Sequence, residues 1–209
     1  MILKPVLKEY LWGGTNLRVK YGKETKKETI AESWELSCHK EGVSVIANGK
    51  LAGTRLDDFI HESSGNVLGT NVKLCELPVL VKLIDAADNL SIQVHPDDCY
   101  AEKHENQPGK KEMWYIIDCE PDASLFFGFK NKIDRGEFVH RAEDGSITEV
   151  LNRVNVSPGD VFFIDAGVVH AIGKGITVAE IGSNCNITYR LFDFFRKDSF
   201  GNPRELHIK

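Results

Sequence analysis

Pro158-Gly159-Asp160-Val161-Phe162-Phe163-Ile164-Asp165-Ala166-Gly167-Val168-Val169-His170-Ala171-Ile172 sets two short apolar runs between turn signals. Pro-Gly-Asp precedes the first run and Asp-Ala-Gly separates it from the second. The stretch therefore predicts strands over 161–164 and 168–172, too closely spaced for helices. Toward the C terminus, 177–181 and 188–192 read as two more strands set off by glycines. Upstream, Leu77-Pro78-Val79-Leu80-Val81-Lys82-Leu83-Ile84 reads as a buried strand leading to Leu90-Ser91-Ile92-Gln93-Val94-His95. A polar loop follows, then a strand opened by Glu112-Met113-Trp114-Tyr115-Ile116-Ile117 and a short aromatic one over 124–129.

The first 54 residues read as short strands and turns. Trp12-Gly13-Gly14 is a turn signal, Ser33-Trp34-Glu35-Leu36-Ser37 alternates like a half-buried strand, and Asn48-Gly49 predicts a hairpin. A helix is expected over 55–62, with Thr54 as N-cap and Leu56, Phe59 and Ile60 on one face. The segment 132–153 is the best case for further helix, with Phe138, Val150 and Leu151 as its apolar contacts. Many short strands with little helix predict an all-β protein, and the tight turns around 158–172 suit a jelly roll. No repeat or linker divides the chain. The expectation is one domain over 1–209, with strands of 1–54 completing the sheets and helical insertions near 55–65 and 132–153.

Composition excludes several function classes. Of 209 residues, 42% are hydrophobic and 27% charged, as in a globular chain able to bury a core. A net charge of −5 argues against a nucleic-acid partner, yet a local cluster of Lys and Arg still permits a small anionic ligand. No apolar run is long enough to span a membrane, and the N terminus lacks signal-peptide features, so a cytoplasmic setting is expected. Cys38, Cys75, Cys99, Cys119 and Cys185 are scattered and never paired as CxxC. They read as reduced thiols, neither a disulfide framework nor a thiolate zinc site.

The chemistry-bearing residues are dispersed in sequence. Gln93 and His95 stand two apart on a predicted strand, so both side chains leave the same face. Glu112 opens an apolar strand, an odd place for a core carboxylate and a natural one at the mouth of a barrel. His170 lies within an apolar strand, where a lone histidine is more often a hydrogen-bonded core residue. Together, two imidazoles, a carboxylate and an amide oxygen would hold a divalent ion with a position left open. This mixed donor set favours zinc, one per chain, without excluding manganese, iron or cobalt.

Four long motifs resemble the signatures of the type I phosphomannose isomerases of the short bacterial kind, a cupin family. They are Leu90-Ser91-Ile92-Gln93-Val94-His95-Pro96-Asp97-Asp98, Lys110-Lys111-Glu112-Met113-Trp114-Tyr115, the stretch from Gly159 to Ile172, and Asn186-Ile187-Thr188-Tyr189-Arg190-Leu191. Trp12-Gly13-Gly14, Ala31-Glu32-Ser33-Trp34-Glu35 and Arg204-Glu205-Leu206-His207-Ile208 match as well, in the right order along nearly the whole chain. The resemblance implies a cupin-type jelly roll with metal ligands Gln93, His95, Glu112 and His170. It also implies Lys110, Arg190 and Ser91 as substrate-binding residues, Lys110 and Arg190 being catalytic. Alone, Lys110 would read as part of a charged loop and Arg190 as one half of a surface pair with Asp193.

The implied reaction interconverts mannose 6-phosphate and fructose 6-phosphate through a cis-enediol, which needs oxyanion stabilisation and a positioned base. The base is left unassigned. Lys110 would serve if its pKa were lowered. The resemblance departs from the family pattern twice. The short bacterial members add a C-terminal β domain, expected to be absent here, which predicts an exposed apolar face or self-association. The position four before Arg190, often Asp, is Asn186, which cannot act as a carboxylate base. Two rivals stand beside the isomerase: a non-catalytic cupin that binds sugar phosphates and keeps the metal, and a cupin oxygenase with a redox metal.

Overall fold

The computed structural model describes residues 1–63, 66–69, 77–198 and 200–208. Two antiparallel sheets face each other. The strands that build them are, in chain order, β1 (Val6–Lys8), β2 (Glu32–Leu36), β3 (Val79–Ala86), β4 (Ile92–Val94), β5 (Glu112–Cys119), β6 (Ser124–Phe129), β7 (Leu151–Asn155), β8 (Val161–Ile164), β9 (His170–Ala171), β10 (Ile176–Ser183) and β11 (Tyr189–Phe192). The six-stranded sheet runs β8-β5-β10-β3-β2-β1 and the five-stranded sheet β7-β6-β9-β4-β11. This is the all-β cupin-type jelly roll expected from the sequence.

Period-two patterning decides which side chains enter the space between the sheets. In β3, Leu80, Lys82 and Ile84 are buried while Val79, Val81 and Leu83 are only half-buried. Trp114, Ile116, Ile164 and Val178 of the larger sheet meet Leu125 and Ile172 from the smaller one to form the main core. Behind the five-stranded sheet, Ile92, Leu151, Ala171 and Leu191 pack against Ala142 and Ile147. Side chains of this size stabilise by roughly 1.5–3 kcal/mol each when fully buried. The site strands β4, β9 and β11 are therefore held from both faces.

Helices are few: α1 (Leu56–Glu62), α2 (Asp98–Glu105), α3 (Arg135–Asp144) and α4 (Ile147–Val150) are those that bear on the argument. The expected helix after residue 55 exists, but its N-cap is Arg55, not Thr54, and no side chain caps it. Leu56 and Ile60 are its buried residues. The helical expectation for 132–153 ends early, because Leu151–Asn155 pairs with β6 as an edge strand. The expected strand over 168–172 shrinks to His170–Ala171. Asn48-Gly49 does not turn the tight hairpin onto Lys50-Leu51; it lies in a longer loop that brings the chain back antiparallel, with Ile46 N–H donating to Thr54 O at 2.9 Å and Gly53 N–H to Ile46 O at 2.8 Å. Val45–Ile46 pairs with Leu3–Lys4, and Gly49–Leu51 forms a single 3-10 turn. Helix α2 falls where a plain polar loop was expected; Asp97 caps it by accepting a hydrogen bond from the Tyr100 N–H at 2.8 Å.

Cys75 lies outside the described residues, while Cys99, Cys119 and Cys185 are free thiols. Among the described residues no helix is long and apolar enough to cross a membrane. Tyr115, Val161 and Phe163 are exposed on neighbouring strands of the larger sheet.

Gly173, two residues past the short strand that carries His170, permits a very close backbone approach. A Cβ there would stand 1.8 Å from the Ser124 carbonyl oxygen. Backbone on backbone cannot yield by a rotamer change, so Gly173→Ala is expected to destabilise by about 3 kcal/mol or more. Urea unfolding measures this, and a loss under about 1 kcal/mol would contradict that contact.

Candidate metal centre

Register brings the dispersed residues into two facing rows. Across the five-stranded sheet, Phe127 pairs with His170, His170 with Gln93, and Gln93 with Arg190. Across the six-stranded sheet, Phe162 pairs with Trp114, Trp114 with Glu180, Glu180 with Lys82, and Lys82 with Trp34. Glu112 stands two residues before Trp114 and so shares its face. His95 follows the end of β4, two residues beyond Gln93.

His95, Glu112 and His170 converge, with their ligating atoms all within 4.8 Å of one another. Glu112 Oε1 lies 3.5 Å from His95 Nε2 and 3.4 Å from His170 Nε2. Each imidazole has a backbone carbonyl 2.8 Å from its Nδ1: Ile187 O for His95 and Val168 O for His170. With Nδ1–H donating there, both Nε2 lone pairs are directed toward the carboxylate. That face-to-face meeting of acceptors leaves His95 Nε2 and Glu112 Oε1 buried without a hydrogen-bond partner. A divalent cation satisfies all of these acceptors at once, so the residues fit a metal.

Gln93 stands beside this group. Its Nε2 is 3.4 Å from His170 Nε2, and its Oε1 accepts from Ser91 Oγ at 3.3 Å. A half-turn of the amide exchanges these two atoms and sets Oε1 beside His170.

Burial depresses the basicity of both histidines. His170 falls to about 4, chiefly by desolvation, and His95 is lowered by desolvation and then by the Lys110 charge. Both rings are therefore neutral at pH 7, as ligation requires. Burial alone would raise the Glu112 pKa, but Lys110 and His95 outweigh it and hold the carboxyl well below the usual carboxylate range.

Lys110 departs from the sequence reading. It is buried, 2.7 Å from Glu112 Oε2 and 3.4 Å from Glu180 Oε1. Burial works to lower its pKa, yet these two carboxylates push it well above the ordinary lysine value. The lowered pKa that a lysine base would need is therefore not found. Gly109 sets its position. A Cβ there would stand 2.4 Å from the Asp97 carbonyl carbon, and the close approach lets Lys110 N–H donate to Pro96 O at 3.0 Å. Arg190 is not paired with Asp193; that buried carboxylate is taken by Arg196 and Arg204.

A cavity of about 240 Å³ opens beside the group, lined by Ser91, Gln93, Lys110 and Arg190, all named from the sequence. It is also lined by Tyr10, Trp12, Glu32, Lys82, Glu180 and Arg204, which sequence reasoning missed. Lys82 bridges Glu180 at 3.2 Å and Glu32 at 3.7 Å, and donates to Asn186 Oδ1 at 3.2 Å. Lys82 and Glu180 were open to detection: each shares the inward parity of apolar neighbours, Leu80 and Ile84 for one, Val178 for the other. A charge at a core position is a signal for function.

A family model described as phosphomannose isomerase type I, catalytic domain, matches residues 1–118. The chain belongs to this family. Mannose-6-phosphate isomerase ManA of Bacillus subtilis is 43% identical over the whole chain, and mannose-6-phosphate isomerase of Streptococcus mutans 39% identical. The crystal structure of the mannose 6-phosphate isomerase from Bacillus subtilis superposes with a TM-score of 0.91 at 40% identity, covering 98% of this chain. The chain spans 65% of the length of each of these relatives.

Removing one member of the cluster leaves the others unable to enclose a cation. His170→Ala is expected to lower the divalent metal retained after dialysis to less than a tenth of that held by the unsubstituted chain, read by elemental analysis. Stoichiometric metal in the variant would show that His170 is no ligand. Asp193 offers a separate check. Burial raises its pKa, but Arg204 and Arg196 bring it below the usual carboxylate range. Its contribution to stability is thus present above about pH 4 and lost as pH falls through the lower folded value. Asp193→Asn is expected to lower stability at pH 7 and flatten the acid branch of the melting profile; an unchanged acid branch would contradict this pairing.

Proposed function

We propose that this chain is the catalytic cupin of a mannose-6-phosphate isomerase, with residues 1–209 forming one unit. The observation that carries the reading is the position of the His95–Glu112–His170 cluster. Its direct neighbours Lys110, 2.7 Å from Glu112, and Gln93, 3.4 Å from His170, line a cavity walled by ammonium, guanidinium and carboxylate groups together. An oxygenase needs no such array of cations, whereas a phosphorylated sugar that passes through an enediolate does.

In this reading Gln93, His95, Glu112 and His170 hold a zinc ion. When bound, the metal supplies Lewis-acid polarisation of the oxygens at the reacting carbons. The remaining work falls to the chain. Lys110, kept charged by Glu112 and Glu180, donates hydrogen bonds to the developing enediolate and orients the ligand carboxylate. Glu180 and Glu32 are the cavity carboxylates able to take and return the proton between C1 and C2. Ser91 holds the Gln93 amide and faces the sugar. Arg190 binds substrate with its planar fork. Asn186, with Lys82 on its oxygen and Glu41 on its nitrogen at 3.0 Å, fills a polar bridge at the cavity wall and leaves proton transfer to the glutamates. A sugar phosphate as partner and a reduced cytoplasmic setting belong to the same proposal.

The test is conversion of mannose 6-phosphate to fructose 6-phosphate by purified, zinc-loaded protein. Turnover is expected to vanish on chelation and to return with zinc. Lys110→Met is expected to lower kcat by about a hundredfold. Tight binding of the sugar phosphate with no product above the blank would instead make the protein a non-catalytic binder.

A further inference from the structure

The charged groups of the cavity are held in place by different means. Arg190 Nη1 donates to the carbonyl of Glu205 at 3.0 Å, a main-chain anchor. Glu180 stands between two ammonium groups, Lys82 at 3.2 Å and Lys110 at 3.4 Å. Glu32 differs, since its nearer partner is neutral. Its Oε2 accepts from the indole Nε1–H of Trp34 at 2.6 Å, and the Lys82 ammonium stands farther off at 3.7 Å. No other hydrogen bond reaches this carboxylate among the described residues, so Oε1 is uncommitted.

Trp34 is fully buried and does not itself line the cavity, whereas Glu32 and Lys82 do. It follows Glu32 by two residues on β2, so both side chains leave the same face of the strand. Lys82 is its register partner on β3, with the ammonium 5.1 Å from the centre of the indole. A second ammonium, that of Lys8, lies 4.6 Å from the ring centre. The His39 ring stands nearly perpendicular to the indole, centre to centre 5.7 Å. Gly42 leaves little slack, because a Cβ there would stand 3.2 Å from Trp34 Cε3. Packing therefore fixes where the indole N–H points.

Resting on the proposed isomerase reading, we infer that Trp34 is a positioning residue for the proton transfer, acting through Glu32. A carboxylate that moves a proton between adjacent sugar carbons must keep one oxygen within reach of both. The proton leaves C2 for Oε1, the C–H electron pair becomes the C1–C2 double bond, and the carbonyl pair moves onto O1. The indole holds Oε2 by one directional bond and so sets the direction of Oε1. An ammonium in its place would neutralise the carboxylate and weaken it as a base. Indole is a donor without charge, so it aims the group and leaves its basicity largely intact.

A double-mutant cycle on the isomerase kinetics of the zinc-loaded protein tests this role. Trp34→Phe keeps an aromatic ring but removes the donor. It is expected to lower kcat by about ten- to hundredfold, with KM within about twofold. On a Glu32→Gln background the same substitution is expected to cost less than about threefold more, because the carboxylate it serves is already gone. Equal losses on both backgrounds would mean that the ring acts only as packing, and would overturn the proposal. So would an unchanged kcat in Trp34→Phe. An unsubstituted protein without turnover would overturn the isomerase reading, and the positioning role with it. Should Trp34→Phe fail to fold, the indole N–H resonances of protein labelled with 15N-tryptophan decide the matter. One of them is expected to move in Glu32→Gln, and to move again when the unsubstituted protein is saturated with fructose 6-phosphate. No displacement in either comparison overturns the role.

Discussion

The whole arrangement depends on burying a carboxylate and two neutral imidazoles with their lone pairs pointed at one another. In a low-dielectric interior, unpaired acceptors cost about 1–3 kcal/mol each, and a buried carboxylate considerably more. Lys110 offsets part of this by standing against Glu112, and the backbone carbonyls of Val168 and Ile187 satisfy the outer imidazole nitrogens. The inner nitrogens are left for something positive. A pocket of acceptors held this way is stable only because both sheets and the packing behind β4 and β9 restrain every member. The fold therefore stores the cost of the site in its core.

The register of the two sheets turns that local constraint into a working surface. One sheet contributes Gln93, His170 and Arg190; the other contributes the alternating charges of Glu180 and Lys82 beside Trp114. A slip by one residue in either would turn these groups outward and leave hydrocarbon facing hydrocarbon. Pairing of β10 with both β3 and β5 over nearly its full length guards against such a slip.

Much of this was legible in the sequence, for identifiable reasons. Glycine-bounded apolar runs announced β8, β9 and β10, and the spacing of Gln93 and His95 placed both on one face before any coordinates were known. Lys82 and Glu180 were hidden inside apolar strands whose hydrophobicity drew attention away from their parity. Lys110 lacks the lowered pKa of a lysine base for an electrostatic reason: its charge is held by Glu112 and by Glu180, the latter seventy positions away in sequence and 3.4 Å away in space. Helix α2 was missed because its sequence is almost wholly polar, with Ala101 its one buried residue, so it carries no apolar periodicity to read. Leu151–Asn155 was read as the end of a helix because β-sheet pairing with β6 overrode a pattern that locally suits either state.

The bond that fixes Arg190 ends on the main-chain oxygen of residue 205, not on a side chain. Every amino acid offers that oxygen equally, so the glutamate there is free to drift without disturbing the guanidinium it steadies. Its neighbour at 204 has no such latitude, because what it gives the cavity is its own side chain. Adjacent positions in one short segment thus stand under opposite selective pressures, an asymmetry that mutational scanning of this stretch would render as alternating tolerance.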